Sequence, residues 1–112
     1  MSILINASGE DLRRTANLPS ISAFTLMAWV RLVTDRNDYT GLLGFGSTAS
    51  LFYSFQCDAD GTLLVMWNGS TLPSGTSLTA GTWYHLAMVC DGTGANNLRG
   101  YKNGVLDIST AG

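Results

Sequence analysis

Alternation of apolar and polar residues is the feature that most limits what this chain can fold into. It is clearest in residues 24–32, where Phe24, Leu26, Ala28, Val30 and Leu32 alternate with Thr25, Met27, Trp29 and Arg31. Successive side chains of a β-strand point to opposite faces, so this pattern predicts a strand with one face in a core. No segment keeps the 3.6-residue period of an amphipathic helix. The chain is therefore predicted to be all-β.

Turn sequences divide the later apolar runs into strands. Asp58-Ala59-Asp60-Gly61 separates residues 51–57 from residues 62–67, and Asp-Gly tolerates the positive φ values that a tight hairpin requires. We therefore expect these two strands to be neighbours. Asn103-Gly104 predicts a second tight hairpin for the same reason.

The run of residues 83–90 is apolar on both faces apart from His85, which is typical of a central strand covered on both sides. Trp83 in this run and Trp29 in the first strand are accordingly assigned to the core. His85 is the only histidine, and we expect a structural side chain with a hydrogen-bonded ring nitrogen. A chain of 112 residues has the size of one domain, so we predict a single antiparallel β-sandwich over residues 1–112.

Composition narrows the expected partners. Charged residues make up 12% of the chain, about half the usual share in soluble proteins, and neutral polar residues take their place. Such a surface suits an extracellular, cell-surface or virion protein, or a subunit of an assembly. The net charge is −2 and Lys102 is the only lysine, so nucleic acid is not an expected partner. No apolar run approaches the roughly 20 residues that cross a bilayer, so membrane insertion is not expected.

Side chains that support catalysis are scarce. Glu10 is the only glutamate, whereas retaining glycosidases need two carboxyls about 5 Å apart. No Ser or Cys lies in a nucleophile motif such as Gly-x-Ser-x-Gly. Cys57 and Cys90 form two buried free thiols or one bridge, and zinc needs more ligands than they offer. We therefore predict that the protein is not an enzyme.

Two segments carry a resemblance to a known family. They are Gly81-Thr82-Trp83-Tyr84-His85-Leu86-Ala87-Met88-Val89-Cys90-Asp91-Gly92 and Tyr101-Lys102-Asn103-Gly104-Val105-Leu106. Together they resemble the laminin-G-like and pentraxin-like jelly rolls of the concanavalin A-like lectin and glucanase superfamily. Asn103 stands where the family usually has Asp, and Asp11-Leu12-Arg13 resembles its early strand. The resemblance covers roughly residues 10–107.

The resemblance implies a jelly roll that is shortened at its C-terminus. Such domains continue through several more strands, whereas this chain ends at Gly112, soon after the Asn103-Gly104 hairpin. A fragment, a minimal version with a rebuilt edge, and an oligomer whose partners cover the gap are the three explanations. Because an open sheet edge pairs readily with another chain, we expect a homo-oligomer or a larger assembly.

Calcium is the candidate cofactor, because laminin-G-like and pentraxin-like relatives often bind it near the rim of the sandwich. Asp35, Asn37 and Asp38 offer hard oxygen ligands within a short stretch, and an ordinary polar loop is the alternative. Asp58 and Asp60 form a second acidic pair, although their sequence is also a good hairpin turn.

Carbohydrate is the ligand that the resemblance implies, and a protein ligand is the alternative. Sugar faces bind to aromatic platforms, with amide or carboxylate groups nearby for the hydroxyls. The candidate ligand-binding residues are Tyr39, Tyr53, Trp67, Asn68 and Tyr101. We predict a non-catalytic module that binds through its rim loops or one sheet face. The alternative function is that of a surface or virion component whose open sheet edges are completed by neighbouring subunits.

Overall fold

The computed structural model describes residues 23–34, 40–48, 51–67, 70–92 and 97–110. Within these ranges the chain forms eight β-strands. The strands are β1 (Ala23–Arg31), β2 (Thr40–Thr48), β3 (Leu51–Cys57), β4 (Thr62–Trp67), β5 (Ser70–Ser77), β6 (Trp83–Asp91), β7 (Leu98–Lys102) and β8 (Val105–Thr110). None of the described residues belongs to a helix that could cross a membrane.

The strands pair antiparallel in two four-stranded sheets. The first sheet has the order β1-β6-β7-β8, and the second has the order β2-β3-β4-β5. Buried side chains from both sheets meet in one core, so the predicted antiparallel β-sandwich is confirmed. The early strand predicted at Asp11-Leu12-Arg13 lies outside the described residues.

Strand β1 shows the predicted alternation along its whole length. It pairs with β6 from Ala23 opposite Asp91 to Arg31 opposite Trp83. Exposed and half-buried residues alternate without interruption, and Phe24 is among the half-buried residues that pack on the core. The pleat thus decides which β1 side chains meet the second sheet and which point away from it.

Both predicted hairpins form. The Asp58–Gly61 turn joins β3 to β4, and Gly61 has a φ of +81°. Asn103 and Gly104 join β7 to β8 with φ values of 51° and 80°, the two positive values of a type I′ turn. Asparagine tolerates this conformation better than most residues because its short side chain can hydrogen-bond locally. The Asn103 Oδ1 accepts the backbone N–H of His85 at 2.9 Å.

Strand β5 is the element that the sequence pattern does not predict. Its residues are mainly Ser, Thr and Gly, and Pro73 lies in its middle. Among the described strands β5 pairs with β4 alone, so it forms an edge of the second sheet. Proline is tolerated there because an edge strand has one side without ladder hydrogen bonds. Pro73 lies opposite Leu64, beside an irregularity in the pairing.

A large and a small residue meet where the two sheets pack together. Phe55 of β3 is fully buried, and its ring lies over Gly100 of β7. A Cβ at residue 100 would lie 3.4 Å from two ring carbons of Phe55 and 3.3 Å from the Cβ of Ile108. Cys57 and Cys90 enter the same core from opposite sheets, and both are buried free thiols.

The two sheets differ in how their outer faces are covered. Strand β6 is central, as predicted, but its expected burial on both faces is wrong. Leu86 is fully buried toward the core, whereas Trp83 on the other face is exposed. Strands β3 and β4 are instead buried on both faces, since Ser54 and Leu64 are buried on the side that points away from the core. An apolar residue type does not by itself distinguish these two environments.

Candidate functional site

The outer face of the first sheet is the side that points away from the second sheet, and the strand register defines its residues. Directly paired residues of antiparallel strands share a face. The rows across this face are Thr25–Val89–Arg99–Ser109, Met27–Ala87–Tyr101–Leu106, Trp29–His85 and Arg31–Trp83. The last two rows place aromatic, cationic and imidazole groups at one end of the sheet.

Two indoles are exposed at this end of the outer face. Trp29 is 65% exposed and Trp83 is 48% exposed, so the assignment of both to the core is wrong. The pleat turns them away from the core on the same side as Arg31. They are diagonal neighbours on adjacent strands, a relation that corresponds to roughly 7–8 Å.

Each indole has a polar neighbour that faces it. The Trp29 and His85 ring centroids are 5.3 Å apart, with their planes tilted by 59°. The guanidinium carbon of Arg31 lies 5.6 Å from the Trp83 ring centroid, which is a cation–π distance. We call Trp29, Arg31, Trp83 and His85 the aromatic platform.

The hairpin residue Asn103 fixes the position of His85. Its side-chain oxygen accepts the backbone N–H of His85, and its own backbone N–H donates to the His85 carbonyl at 2.8 Å. The predicted hydrogen bond to a ring nitrogen of His85 is not found among the described residues, where the imidazole packs against Trp29 instead. The β7–β8 turn therefore holds one member of the aromatic platform through its backbone.

Carboxylates of the described residues are engaged away from the aromatic platform. Asp91 accepts a hydrogen bond from Arg99 and forms an ion pair with it, and this contact raises the pKa of Arg99. Asp107 accepts a hydrogen bond from the hydroxyl of Thr76 on β5. Arg31 forms no ion pair with any carboxylate in the part of the chain that the structure describes. The platform therefore carries a cation without a described acidic partner.

The structure separates the candidate ligand-binding residues. Tyr101 lies on the outer face, in the row next to that of Trp29. Tyr53 packs edge-to-face against Phe24 at 4.9 Å and contacts the core, so it does not join the aromatic platform. The backbone of Trp67 pairs with that of Tyr53.

Several predicted residues fall outside the described part of the chain. They are Tyr39, Asn68 and the side chain of Trp67 among the ligand-binding candidates, and Asp35, Asn37 and Asp38 among the calcium candidates. Their proposed roles stay predictions. Within the described residues, no cluster of three or more His, Cys, Asp or Glu side chains is placed to hold a metal ion.

The carboxylates of Asp58 and Asp60 serve the β3–β4 turn. The Asp58 Oδ1 accepts the backbone N–H groups of Asp60 at 3.2 Å and Thr62 at 3.1 Å, and the Asp60 Oδ1 accepts that of Thr62 at 2.8 Å. A hydrogen bond from Asp58, together with those from Thr62, lowers the pKa of Asp60 to about 2. The same pairing with Asp60 raises the pKa of Asp58. Both groups thus have the turn role that their sequence allows.

The aromatic platform was missed because its indoles were assigned to the core. A signal for it exists in β1, where Trp29 alternates in phase with Thr25 and Arg31. A strand face that carries an arginine is normally solvated, so Trp29 shares a polar face. The strand register then extends this face to Trp83.

A β-sandwich with aromatic groups exposed on a rigid sheet face has the form of a binding domain. A laminin G family model, described as the concanavalin A-like lectin/glucanases superfamily, matches residues 6–112. The chain therefore belongs to this family, whose lectin-type fold is generally non-catalytic and supports binding. Comparisons with curated proteins and with solved structures gave no match.

Proposed function

We propose that this protein is a non-catalytic module that binds carbohydrate on the aromatic platform. The observation that carries the proposal is the exposure of two indoles on one sheet face, 65% for Trp29 and 48% for Trp83. An indole offers a flat apolar surface to the C–H face of a sugar ring. Exposed indoles are costly in contact with water, so a ligand that covers them is a physical reason for their presence.

The polar groups around the indoles suit a ligand rich in hydroxyls. The Arg31 guanidinium donates hydrogen bonds, and the His85 imidazole can both donate and accept them. A few polar groups around an apolar surface orient a ligand, while the apolar contact supplies much of the affinity. Both kinds of group are present within two adjacent rows of the outer face.

The location on paired strands favours binding by a preformed surface. Trp29 lies in β1 and Trp83 in β6, and these strands pair along nine residues of register. Side chains on such strands lose less freedom on binding than side chains on a mobile loop. Covering about 100 Å² of apolar indole surface would contribute about 2.5 kcal/mol.

The absence of paired catalytic carboxylates supports a role in binding. Glu10 is the only glutamate of the chain. The described aspartates serve the β3–β4 turn, pair with Arg99 or accept a hydrogen bond from Thr76. Glycoside hydrolysis requires two carboxyls on either side of the scissile bond.

A glycan array tests the proposal. We expect the protein to bind a defined set of glycans, and Trp29→Ala to weaken that binding by more than tenfold without a change in melting temperature. Val105→Ala is the matched control, because Val105 is an exposed apolar residue of the same sheet in the hairpin beside the platform, and it should bind as the wild type does. Wild-type binding by both Trp29→Ala and Trp83→Ala, or no binding to any glycan, would contradict the proposal.

Assembly is a second candidate, and strand β8 is the observation that favours it. Among the described strands β8 pairs with β7 alone, and it begins with Val105 and Leu106, both more than half exposed. Apolar side chains on an open strand edge favour pairing with another chain. Light scattering distinguishes the two candidates. An oligomer that Leu106→Lys dissociates supports assembly, and a monomer whose melting temperature rises with glycan supports the binding module.

A further inference from the structure

The guanidinium of Arg31 has no described acidic partner. It lies over the Trp83 ring, where its flat face contacts the indole while its N–H groups remain at the rim of the ring. A guanidinium presents a planar fork of donors that fits a carboxylate or sulfate with two parallel hydrogen bonds. Stacking on Trp83 restricts the side chain before a ligand arrives, so less conformational freedom is lost on binding.

We propose that the aromatic platform selects carbohydrates that carry an anionic substituent, a carboxylate or a sulfate, and that Arg31 binds this group. This inference rests on the proposed function, because it requires that the ligand be a sugar on the indoles. It goes further by naming the chemical class of the ligand. Trp29 contacts the sugar ring, and Arg31 reads the charge.

The distribution of charge on the outer face supports this selectivity. The chain as a whole has a net charge of −2, so general electrostatic attraction does not favour an anion. The ion pair of Arg99 with Asp91 lies three rows from Arg31. Three rows correspond to six residues of strand, or about 20 Å, which exceeds the Debye length of about 8 Å at physiological salt. Among the described residues, Arg31 is therefore the cation that dominates the local field at the platform.

Arg99 provides a matched comparison on the same face. It is also an arginine in a strand of the first sheet, but its guanidinium is engaged with Asp91. A ligand anion would have to compete with that carboxylate at Arg99 and not at Arg31. The two arginines therefore differ in the property on which the proposal depends.

The experiment uses acidic glycans printed beside their neutralised forms, with each uronic acid polymer next to its carboxyl-reduced form and each sulfated glycan next to its desulfated form. We expect at least one acidic glycan to bind about tenfold or more tightly than its neutral counterpart. Arg31→Gln should abolish this preference while leaving the weaker binding of the neutral form unchanged. Arg99→Gln should keep the preference. Whether carboxylate or sulfate shows the larger preference identifies the substituent.

Two results would overturn the inference, and they are distinct from failure of the proposed function. Equal binding of acidic and neutral forms that still depends on Trp29 would leave carbohydrate binding in place and reject the anion. A preference that persists in Arg31→Gln but disappears in Arg99→Gln would move the anion site to the other end of the sheet. No binding by any glycan would reject the proposed function itself. Circular dichroism of both arginine variants confirms that they are folded.

Discussion

Central strands of the two sheets are similarly apolar, yet the second sheet is buried on both faces whereas the first is buried on one. In the second sheet, Ser54 and Leu64 are buried on the side away from the core. In the first sheet, the equivalent side of β1 and β6 exposes Trp29 and Trp83. An apolar side chain therefore has two different meanings in this molecule. In the second sheet it contributes to stability, and on the outer face of the first sheet it is available to a ligand.

The largest expected effect comes from exchanging a core aromatic residue for alanine. Phe55→Ala leaves a cavity between the sheets and should lower the free energy of unfolding by about 3–5 kcal/mol. Trp29→Ala removes a larger side chain from the outer face and should change it by less than about 0.5 kcal/mol. Urea denaturation of the two variants measures both values. Similar losses in the two variants would break the distinction between the faces.

A smaller effect is expected from filling the space beneath Phe55. Gly100→Val places a branched side chain where even a Cβ would lie 3.4 Å from the ring, and should cost about 2–3 kcal/mol. Gly100→Ala should cost less, because a single methyl group requires only a small shift of the ring. Thermal unfolding of the single variants and of Phe55→Leu with Gly100→Ala tests the contact. Strict additivity in the double variant would show that residues 55 and 100 do not interact.

The β7–β8 turn supports the aromatic platform, and its disruption should have an intermediate effect. Asn103→Ala removes the acceptor for the His85 N–H and places alanine at a φ of 51°, with an expected cost of about 1–2 kcal/mol. Asn103→Gly keeps the backbone conformation and loses only the hydrogen bond. Asn103→Asp keeps both and should be close to the wild type. Denaturant unfolding ranks the three variants, and equal stability of Ala and Asp at this position would contradict the assignment.

The β3–β4 turn should produce the smallest effect, visible as a change with pH. The pKa of Asp60 is lowered to about 2, below the unfolded value of 3.8, so its charge stabilises the fold above pH 3.8. This stabilisation is lost as the pH falls through about 2. The pKa of Asp58 is raised, so its contribution is present below pH 3.8 and is lost as the pH rises.

Melting temperatures between pH 2 and pH 5 test the opposite signs of these two groups. The melting temperature of the wild type should exceed that of Asp60→Asn most at pH 5, and the difference should shrink toward pH 2. For Asp58→Asn, the wild type should gain relative to the variant as the pH falls. Differences that do not vary with pH in either variant would contradict the coupled turn.

Much of the fold could be predicted from the sequence because its signals are local. The alternation of residues 24–32 predicts β1 and its core face, and the Asp-Gly and Asn-Gly turns predict two hairpins. Strand β5 escapes because an edge strand can tolerate Pro73 and many small polar residues. Local sequence cannot show that such a segment gains its stability from pairing with β4.

The candidate site was harder to predict because it depends on which faces are covered. Residues 83–90 are apolar on both sides, so their sequence does not show that Trp83 faces solvent. Only the register with β1, where Arg31 lies opposite Trp83, reveals the orientation. Tyr101 was predicted and lies on the outer face, whereas Tyr53 packs on the core. A site made from two strands distant in sequence requires knowledge of the pairing.

The central claim is that the outer face of the first sheet binds a ligand through Trp29. Acrylamide quenching of tryptophan fluorescence, with and without the best glycan from the array, tests it most directly. The account predicts that glycan protects a fraction of the emission from the quencher, and that this protected fraction disappears in Trp29→Ala. Glycan binding that leaves quenching unchanged in the wild type would show that the ligand lies elsewhere and would contradict the claim.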